Sequence, residues 1–328
     1  MNEQREDTHI HCQTPSTAQF LRDAIEGLSK PQKKLPSKYL YDQAGSALFD
    51  QICELDEYYL TRTEAAIMRQ SASQIAGEIG GDAVIVELGS GSSTKTRILL
   101  DALDEPQAYL AVDISEEHLL QAAEGIRCEY PDLVVEPVIA DFTHAFRIPA
   151  QYAGTSVHVF FPGSTIGNLD NDEALELLQC ASGLETTDGT ALHPGLLIGF
   201  DLVKDTGTLE AAYNDAAGVS AKFTLNMLHR MNRELEADFR VDAFEHYAYF
   251  NVEHSRIEIY IRSLEDQTAT IDSQRFEFAA GELILTEYSH KYTLESLTKL
   301  AQQAGFHVQK TWTDDQQLFA LMLLECDV

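Results

Sequence analysis

Between positions 84 and 103 the chain reads VIVELGSGSSTKTRILLDAL: a continuous apolar run, a Gly/Ser turn, then a helical stretch. Turns of this build hold nucleotides, because glycine lacks the Cβ that would keep the backbone away from the ligand. Three nucleotide chemistries compete for it. A P-loop needs Gly-Lys-Ser/Thr, and here Thr94 precedes Lys95 and Thr96, so the required glycine is absent. A dinucleotide fingerprint needs a third glycine for close helix packing; Gly89 and Gly91 supply two, and Thr94 stands where the third belongs. A nucleoside turn remains. Two carboxylates follow it at strand ends. Asp113 in AVDIS is placed to accept from two ribose hydroxyls, and Asp141 in IADF lies near an adenine edge, with Phe142 beside the ring. Either acid alone reads as well as a helix cap or a turn residue. The order of the three signals carries the assignment.

The turn Glu87-Leu88-Gly89-Ser90-Gly91 is similar to that of S-adenosylmethionine-dependent methyltransferases. That cofactor suits it: the glycines allow close approach of the methionine part, and no triphosphate calls for a basic cluster beyond Lys95.

A frame must bring these residues together. Strand and helix signals alternate: 84–87 and AYLAVDIS are strands, 94–103 and EEHLLQAAEGIRCEY helices, LVVEPVIADF and SVHVFFPG strands, DNDEALELLQCASGL a helix, and GLLIGFDLV a fifth strand. Continuous apolar strands in this rhythm predict an α/β fold with a doubly wound, mostly parallel sheet, the Rossmann-like arrangement of class I methyltransferases. From Lys204 the pattern changes. TLEAAYNDAAGVSAKFTLNMLHRMNREL reads as helix, and HYAYFNVE, RIEIYIRS, TATIDS and RFEFAAG alternate polar with apolar; Ile257, Ile259 and Ile261 share one face, Glu258, Tyr260 and Arg262 the other. The expectation is an inserted α+β domain over 204–293, a substrate-binding domain by the family resemblance given below, within a cofactor-binding core of 20–203 and 294–328, preceded by a polar, flexible N-terminus over 1–19.

The formal net charge of −30 over 328 residues repels phosphate backbones, so no nucleic acid is expected as partner. Most of that charge is a solvated acidic surface. No apolar run approaches the roughly 20 residues that span a bilayer, and the polar N-terminus has no signal-peptide h-region. Cys12, Cys53, Cys128, Cys180 and Cys326 are odd in number and form no C-x-x-C pair, which reads as reduced thiols in a cytoplasmic protein. His9, His11 and Cys12 could ligate a metal, but the polar tail around them suggests an adventitious site, and no metal is expected. Ser164 lacks the G-x-S-x-G of a nucleophile elbow. A monomer is expected.

The segments YLYDQAGSALFDQICELDEYYLTRTE, FFPGSTIGNL, DLVKD, AAYNDAAGVSAKF, FAAGELILTEYSHKY and TWTDDQQLFAL, in order from about residue 37 to the end, closely resemble the histidine Nα-methyltransferases of ergothioneine biosynthesis. The resemblance implies trimethylation of the α-amino group of free L-histidine to hercynine, through its mono- and dimethylated forms, with S-adenosylhomocysteine as coproduct. It puts cofactor contacts on Gly89, Lys95, Asp113, Asp141 and Phe142, and substrate contacts on Tyr58, Asn168, Tyr213, Glu287 and Ser289, with Tyr41 and Phe49 near the same pocket. The sulfur-inserting step of the pathway then belongs to another protein, since no iron-ligand constellation is apparent.

The residue types suit the task. Glu287 can accept an imidazole N–H, and Ser289 can donate or accept at the other nitrogen. Asn168, Tyr58 and Tyr213 can bind the amino acid's carboxylate and amine with neutral groups, which avoids holding the amine protonated. Tyr41 and Asn168 are the catalytic candidates, with Tyr41 or water taking the amine proton. Taken singly, Tyr58 and Tyr213 read as packing, Asn168 as a turn residue and Glu287 as a solvated strand face; only their joint occurrence reverses this. Ile259 stands where the family commonly carries methionine, which bears on pocket size. The alternatives are an N-methyltransferase of another aromatic amino acid such as tryptophan, and a non-catalytic cofactor-binding homologue.

Overall fold

A computed structural model of the chain describes residues 16–89, 94–113 and 116–326. Gly91, and the His9, His11 and Cys12 group, lie outside them. The N-terminal helices are α1 (Thr17–Ser29), α2 (Gln43–Cys53) and the long α3 (Tyr59–Ile79). The alternating region gives β1 (Val84–Leu88), α4 (Thr94–Leu100), β2 (Ala108–Asp113), α5 (Glu116–Glu129) and β3 (Val134–Ile139), then the two-residue β4 (Arg147–Ile148) and β5 (Val157–Phe161). There follow α6 (Asn171–Ser182), the two-residue β6 (Glu185–Thr186) and β7 (Gly195–Asp201). The chain closes with α9 (Leu294–Gln303), β13 (Phe306–Thr313) and β14 (Phe319–Cys326).

Seven of these strands form one sheet in the order β13-β14-β7-β5-β1-β2-β3, parallel except for β14, which runs against both its neighbours. Every residue of β1 and β7 is buried, as the continuous apolar runs require of strands covered on both faces. Sequence order reverses at β1: β2 and β3 lie to one side, β5 and β7 to the other. The crevice outside the carboxyl ends of strands at such a reversal is where α/β sheets bind ligands.

A second, three-stranded antiparallel sheet is built from β8 (Phe244–Asn251), β9 (Arg256–Ser263) and β12 (Leu283–His290), with β10 (Gln267–Ile271) and β11 (Gln274–Phe278) as a separate hairpin. A bulge between Leu285 and Glu287 interrupts the β12–β9 register. Bulges of this kind re-aim the side chains beside them. Both faces of β9 are buried; Glu258 joins Ile257, Ile259 and Ile261 inside because Arg256, Tyr249 and Tyr260 satisfy its carboxylate.

One local expectation changes. The single helix expected over 208–235 breaks into α7 (Thr206–Ala211) and α8 (Val219–Glu234). Gly218, in the left-handed region at φ +69°, and Asp215, which accepts from the backbone N–H groups of Val219 and Ser220, begin α8 afresh. Tyr213 therefore sits in the link between helices. The segment after α1 pairs with β12 of the second sheet, and α1 itself touches the β10–β11 hairpin at β11. Leu35 N–H donates to the Leu285 carbonyl and Leu285 N–H to that of Lys33, at 2.8 and 2.9 Å, and α2 lies against α8. Among the described residues no helix is long and apolar enough to cross a membrane.

Candidate active site

A cavity of about 750 Å³ runs from the carboxyl edge of the parallel sheet to the second sheet. At its first end lie Gly89 after β1, Asp113 at the tip of β2, and Asp141 with Phe142 after β3. Gly89 has φ +76°, which glycine alone adopts freely, and a Cβ there would point at the Phe142 ring, 3.8 Å away. A side chain at this position would fill the space between turn and ring, so the arrangement fits a flat nucleoside. The Asp141 carboxylate accepts from the backbone N–H and the hydroxyl of Thr143, at 3.0 and 2.5 Å, which fixes its turn.

The structure gives the Lys95 ammonium to Glu64 of α3, at 2.6 Å. The buried Glu64 also accepts from the Gly163 N–H through both oxygens, at 2.9 and 3.0 Å. Lys95 is thus bound to the loop after β5 that borders the cavity. In that loop Gly163 and Ser164 both have positive φ, +86° and +58°; glycine takes this freely, while for Ser164 it is strain that the bond from the Asp201 N–H to its hydroxyl holds in place.

At the second end Glu287 projects from β12 and is 8% exposed. Its carboxylate accepts from the Asn168 amide at 3.0 Å and, more distantly, from the Tyr41 hydroxyl at 3.4 Å. Asn168 reaches it because Gly167 lets the 3-10 turn Thr165–Asn168 press on β12; a Cβ on Gly167 would lie 2.8 Å from the His290 carbonyl oxygen. Burial pushes the Glu287 carboxyl up to about 7, against the lowering pull of Tyr41 and Lys291. Ile259 lies directly opposite Glu287 in the β12–β9 register and lines the same cavity.

An aromatic wall faces this strand. Phe49 stands edge-on to Tyr41 and Tyr58, with centroids 5.7 and 6.2 Å apart, and Tyr58 stands edge-on to Tyr213 at 6.0 Å. Burial, with the Glu287 charge adding to it, holds the Tyr41 phenol well above its ordinary pKa. The Tyr41 phenol donates toward the Glu287 carboxylate.

Behind the wall lies a charged cluster that no sequence motif marks. Tyr213 and Ser289 lie 2.7 Å apart, and the Lys291 ammonium donates to both, at 2.8 and 2.9 Å. Lys291 pairs with Asp201 at 2.8 Å, both side chains being fully buried. Burial works against the ammonium, but Asp201 and Tyr213 together outweigh it and hold Lys291 above its ordinary pKa. Asp201 also accepts from the Tyr59 hydroxyl and pairs with Lys204 at 2.6 Å. Asp201 closes β7 as Asp113 closes β2, so the strand-end reasoning that found Asp113 extends to it. For Lys291, two residues beyond Ser289, no sequence signal distinguishes a buried cation from a surface one. Phe223, edge-on to Tyr41 and tilted against Phe49, is likewise recognised only in the structure.

The sheet order, the glycine turn with its strand-end acids, and a second polar compartment opening into the same cavity define an S-adenosylmethionine-dependent methyltransferase for a small substrate. The family of S-adenosylmethionine-dependent, histidine-specific methyltransferases matches residues 20–326, and the chain belongs to it. It is 44% identical over 317 residues to a histidine N-alpha-methyltransferase of Mycolicibacterium smegmatis, covering 94% of this chain and 95% of the relative. Against the histidine N-alpha-methyltransferase of Mycobacterium tuberculosis it is 41% identical, covering 92% and 93%. A match at 29% identity to ergothioneine biosynthesis protein 1 of Neurospora crassa covers 89% of this chain and 34% of that longer protein. Among the described residues no group of three or more His, Cys, Asp or Glu side chains could hold a metal ion.

Proposed function

We propose that this protein methylates the α-amino nitrogen of free L-histidine three times, through the mono- and dimethylated amino acids to hercynine, the first step of ergothioneine biosynthesis. The observation that carries the reading is Glu287 and Ser289 on one face of β12. Two residues apart on a strand, they are separated by about 7 Å, roughly the span of an imidazole flanked by two hydrogen bonds. The buried carboxylate would accept the ring N–H, and the hydroxyl would meet the other nitrogen. An indole has no second ring nitrogen to answer Ser289, which disfavours tryptophan.

Gly89, Asp113, Asp141 and Phe142 would hold the cofactor, with Lys95 and Glu64 securing the Gly163 loop. The cofactor supplies an electrophilic methyl group on a sulfonium. The chain's own residues supply position: Tyr58, Tyr213 and Asn168 would hold the amino acid's carboxylate and amine with neutral groups, leaving the amine free to lose its proton to solvent. The faces of Tyr41, Phe49 and Tyr58 would favour the cationic product. The insert over 204–293, together with α1 and α2, would form the substrate compartment. The reading takes the enzyme as a cytoplasmic monomer that acts on no nucleic acid.

Incubation with labelled S-adenosylmethionine and each free amino acid tests this directly. Histidine should carry three labels in the end product. A higher kcat/KM for another amino acid, tryptophan included, would overturn the assignment.

A further inference from the structure

The hydrogens at the Tyr213–Ser289 pair can be counted. The Lys291 ammonium has three N–H groups, and the structure spends them on Asp201, Tyr213 and Ser289, at 2.8, 2.8 and 2.9 Å. Both hydroxyl oxygens therefore accept from a cation, and each keeps one hydrogen of its own. At 2.7 Å apart, one hydroxyl donates to the other. A single O–H is left over, and both residues line the cavity. Asp201 sets this pattern: fully buried and bonded to Tyr59 and Lys204, it anchors the ammonium from behind. The Asp201 N–H is itself bound by Ser164 Oγ at 3.0 Å, so the anchor belongs to the parallel sheet, while the hydroxyls it controls face the second sheet.

We infer that Lys291 is a positioning residue for substrate choice: it fixes the Tyr213–Ser289 pair as a hydrogen-bond donor, opposite the acceptor Glu287, so that the site reads one donor and one acceptor on the ring of its substrate. This rests on the histidine reading above and deepens it. Without the ammonium, each hydroxyl is free to turn and accept, and the pair loses its polarity. A ring that offers only an N–H, with no accepting nitrogen, gains nothing from Lys291. Histidine, which offers both, depends on it.

The test is a cycle between protein and substrate. Two pyrrolylalanines, substituted at ring position 2 or 3, each keep one ring N–H and lack the accepting nitrogen. kcat/KM is measured for histidine and for the better of the two isomers, in wild type, in Lys291→Met, and in Lys291→Met/Asp201→Asn. The double variant removes both members of the Lys291–Asp201 pair, so a fold that fails when Asp201 keeps only Lys204 as its cation is still tested. Histidine should fall by at least ~30-fold, because a site that loses its paired donor discriminates poorly. The pyrrolylalanine should change by less than ~3-fold, since the interaction removed is one it never made. Cofactor Kd should stay at the wild-type value. Equal losses for both substrates would make Lys291 a structural residue and overturn the inference while leaving the histidine reading intact. Wild type that prefers the pyrrolylalanine to histidine would overturn both.

Discussion

The two ends of the cavity are built on opposite principles. At the cofactor end the two acids sit at strand tips, partly exposed, and Asp141 is satisfied by Thr143, two residues on. At the substrate end the charges are buried, and their partners come from far along the chain. Glu287 meets Asn168 across 119 residues and Tyr41 across 246, and Tyr213 meets Ser289 across 76. A cofactor common to many enzymes is held by local motifs on a rigid sheet edge. A small substrate is read by a desolvated compartment, where each unpaired group costs far more than at the wet edge. Selectivity is therefore expected to concentrate at the buried end.

The strongest attack on this contrast is Glu287→Ala. It removes a buried acceptor and leaves a ring N–H unpaired, so kcat/KM for histidine should drop by at least ~10²-fold, about 3 kcal/mol. Cofactor Kd by calorimetry should not move, and the ratio of tryptophan to histidine kcat/KM should rise. Retention of the wild-type preference would mean that the buried end does not read the ring.

Burial of Glu287 also has a signature in stability. Its carboxyl stands at about 7 in the folded protein against an ordinary 4.5. A raised pKa means the native state prefers the proton, so the contribution to stability is complete below about 4.5 and is lost as pH rises through about 7. Glu287→Gln, neutral at every pH, should gain on the wild type between pH 5 and pH 8, by at most about 3 kcal/mol. Denaturant unfolding of both proteins at the two pH values measures it. A difference that stays constant would mean that the carboxyl ionises as freely as one on the surface.

The exposed end should answer on a different axis. Asp113→Ala removes charge-assisted hydrogen bonds worth about 1.5–3 kcal/mol each, a tenfold or larger rise in cofactor Kd. With cofactor saturating, KM for histidine should stay within about threefold of wild type. A matching loss in both would show the two ends to be coupled, and the contrast between them would fail.

The same contrast decides what the sequence discloses. The glycine turn, Asp113 and Asp141 are legible because each stands at the end of an apolar run, where periodicity and position suffice. The parallel direction of β1, β2, β3, β5 and β7 follows from those runs as well. The buried end gives no such signal. Lys291 and Asp201 become partners only when β7 and the residue after β12 meet, and nothing local separates a lysine under an aromatic wall from one in water. The break between α7 and α8 was hidden for a related reason. Asp215 and Gly218 stop the helix by capping and by a left-handed turn, while the surrounding composition still favours helix. Glu287, Ser289 and Asn168 are legible only through family resemblance; alone, the first two describe an ordinary solvated strand and Asn168 a turn.

The smallest expected effect tests whether shape or polarity does the reading. Ile259 faces Glu287 across the β12–β9 register and is 5% exposed, an apolar neighbour to the acceptor. Ile259→Val removes one methylene from the wall without touching a polar group. If the compartment selects through its hydrogen-bond polarity, the loss should be that of ordinary packing, about 0.5–1.5 kcal/mol, or roughly 2- to 10-fold in KM. kcat should be unchanged, because the contact is the same in the ground and transition states. The tryptophan-to-histidine ratio should move less than it does in Glu287→Ala. If Ile259→Val instead shifts that ratio as far as loss of the carboxylate does, the cavity discriminates by volume, and the buried charges at its far end serve to hold the walls in place.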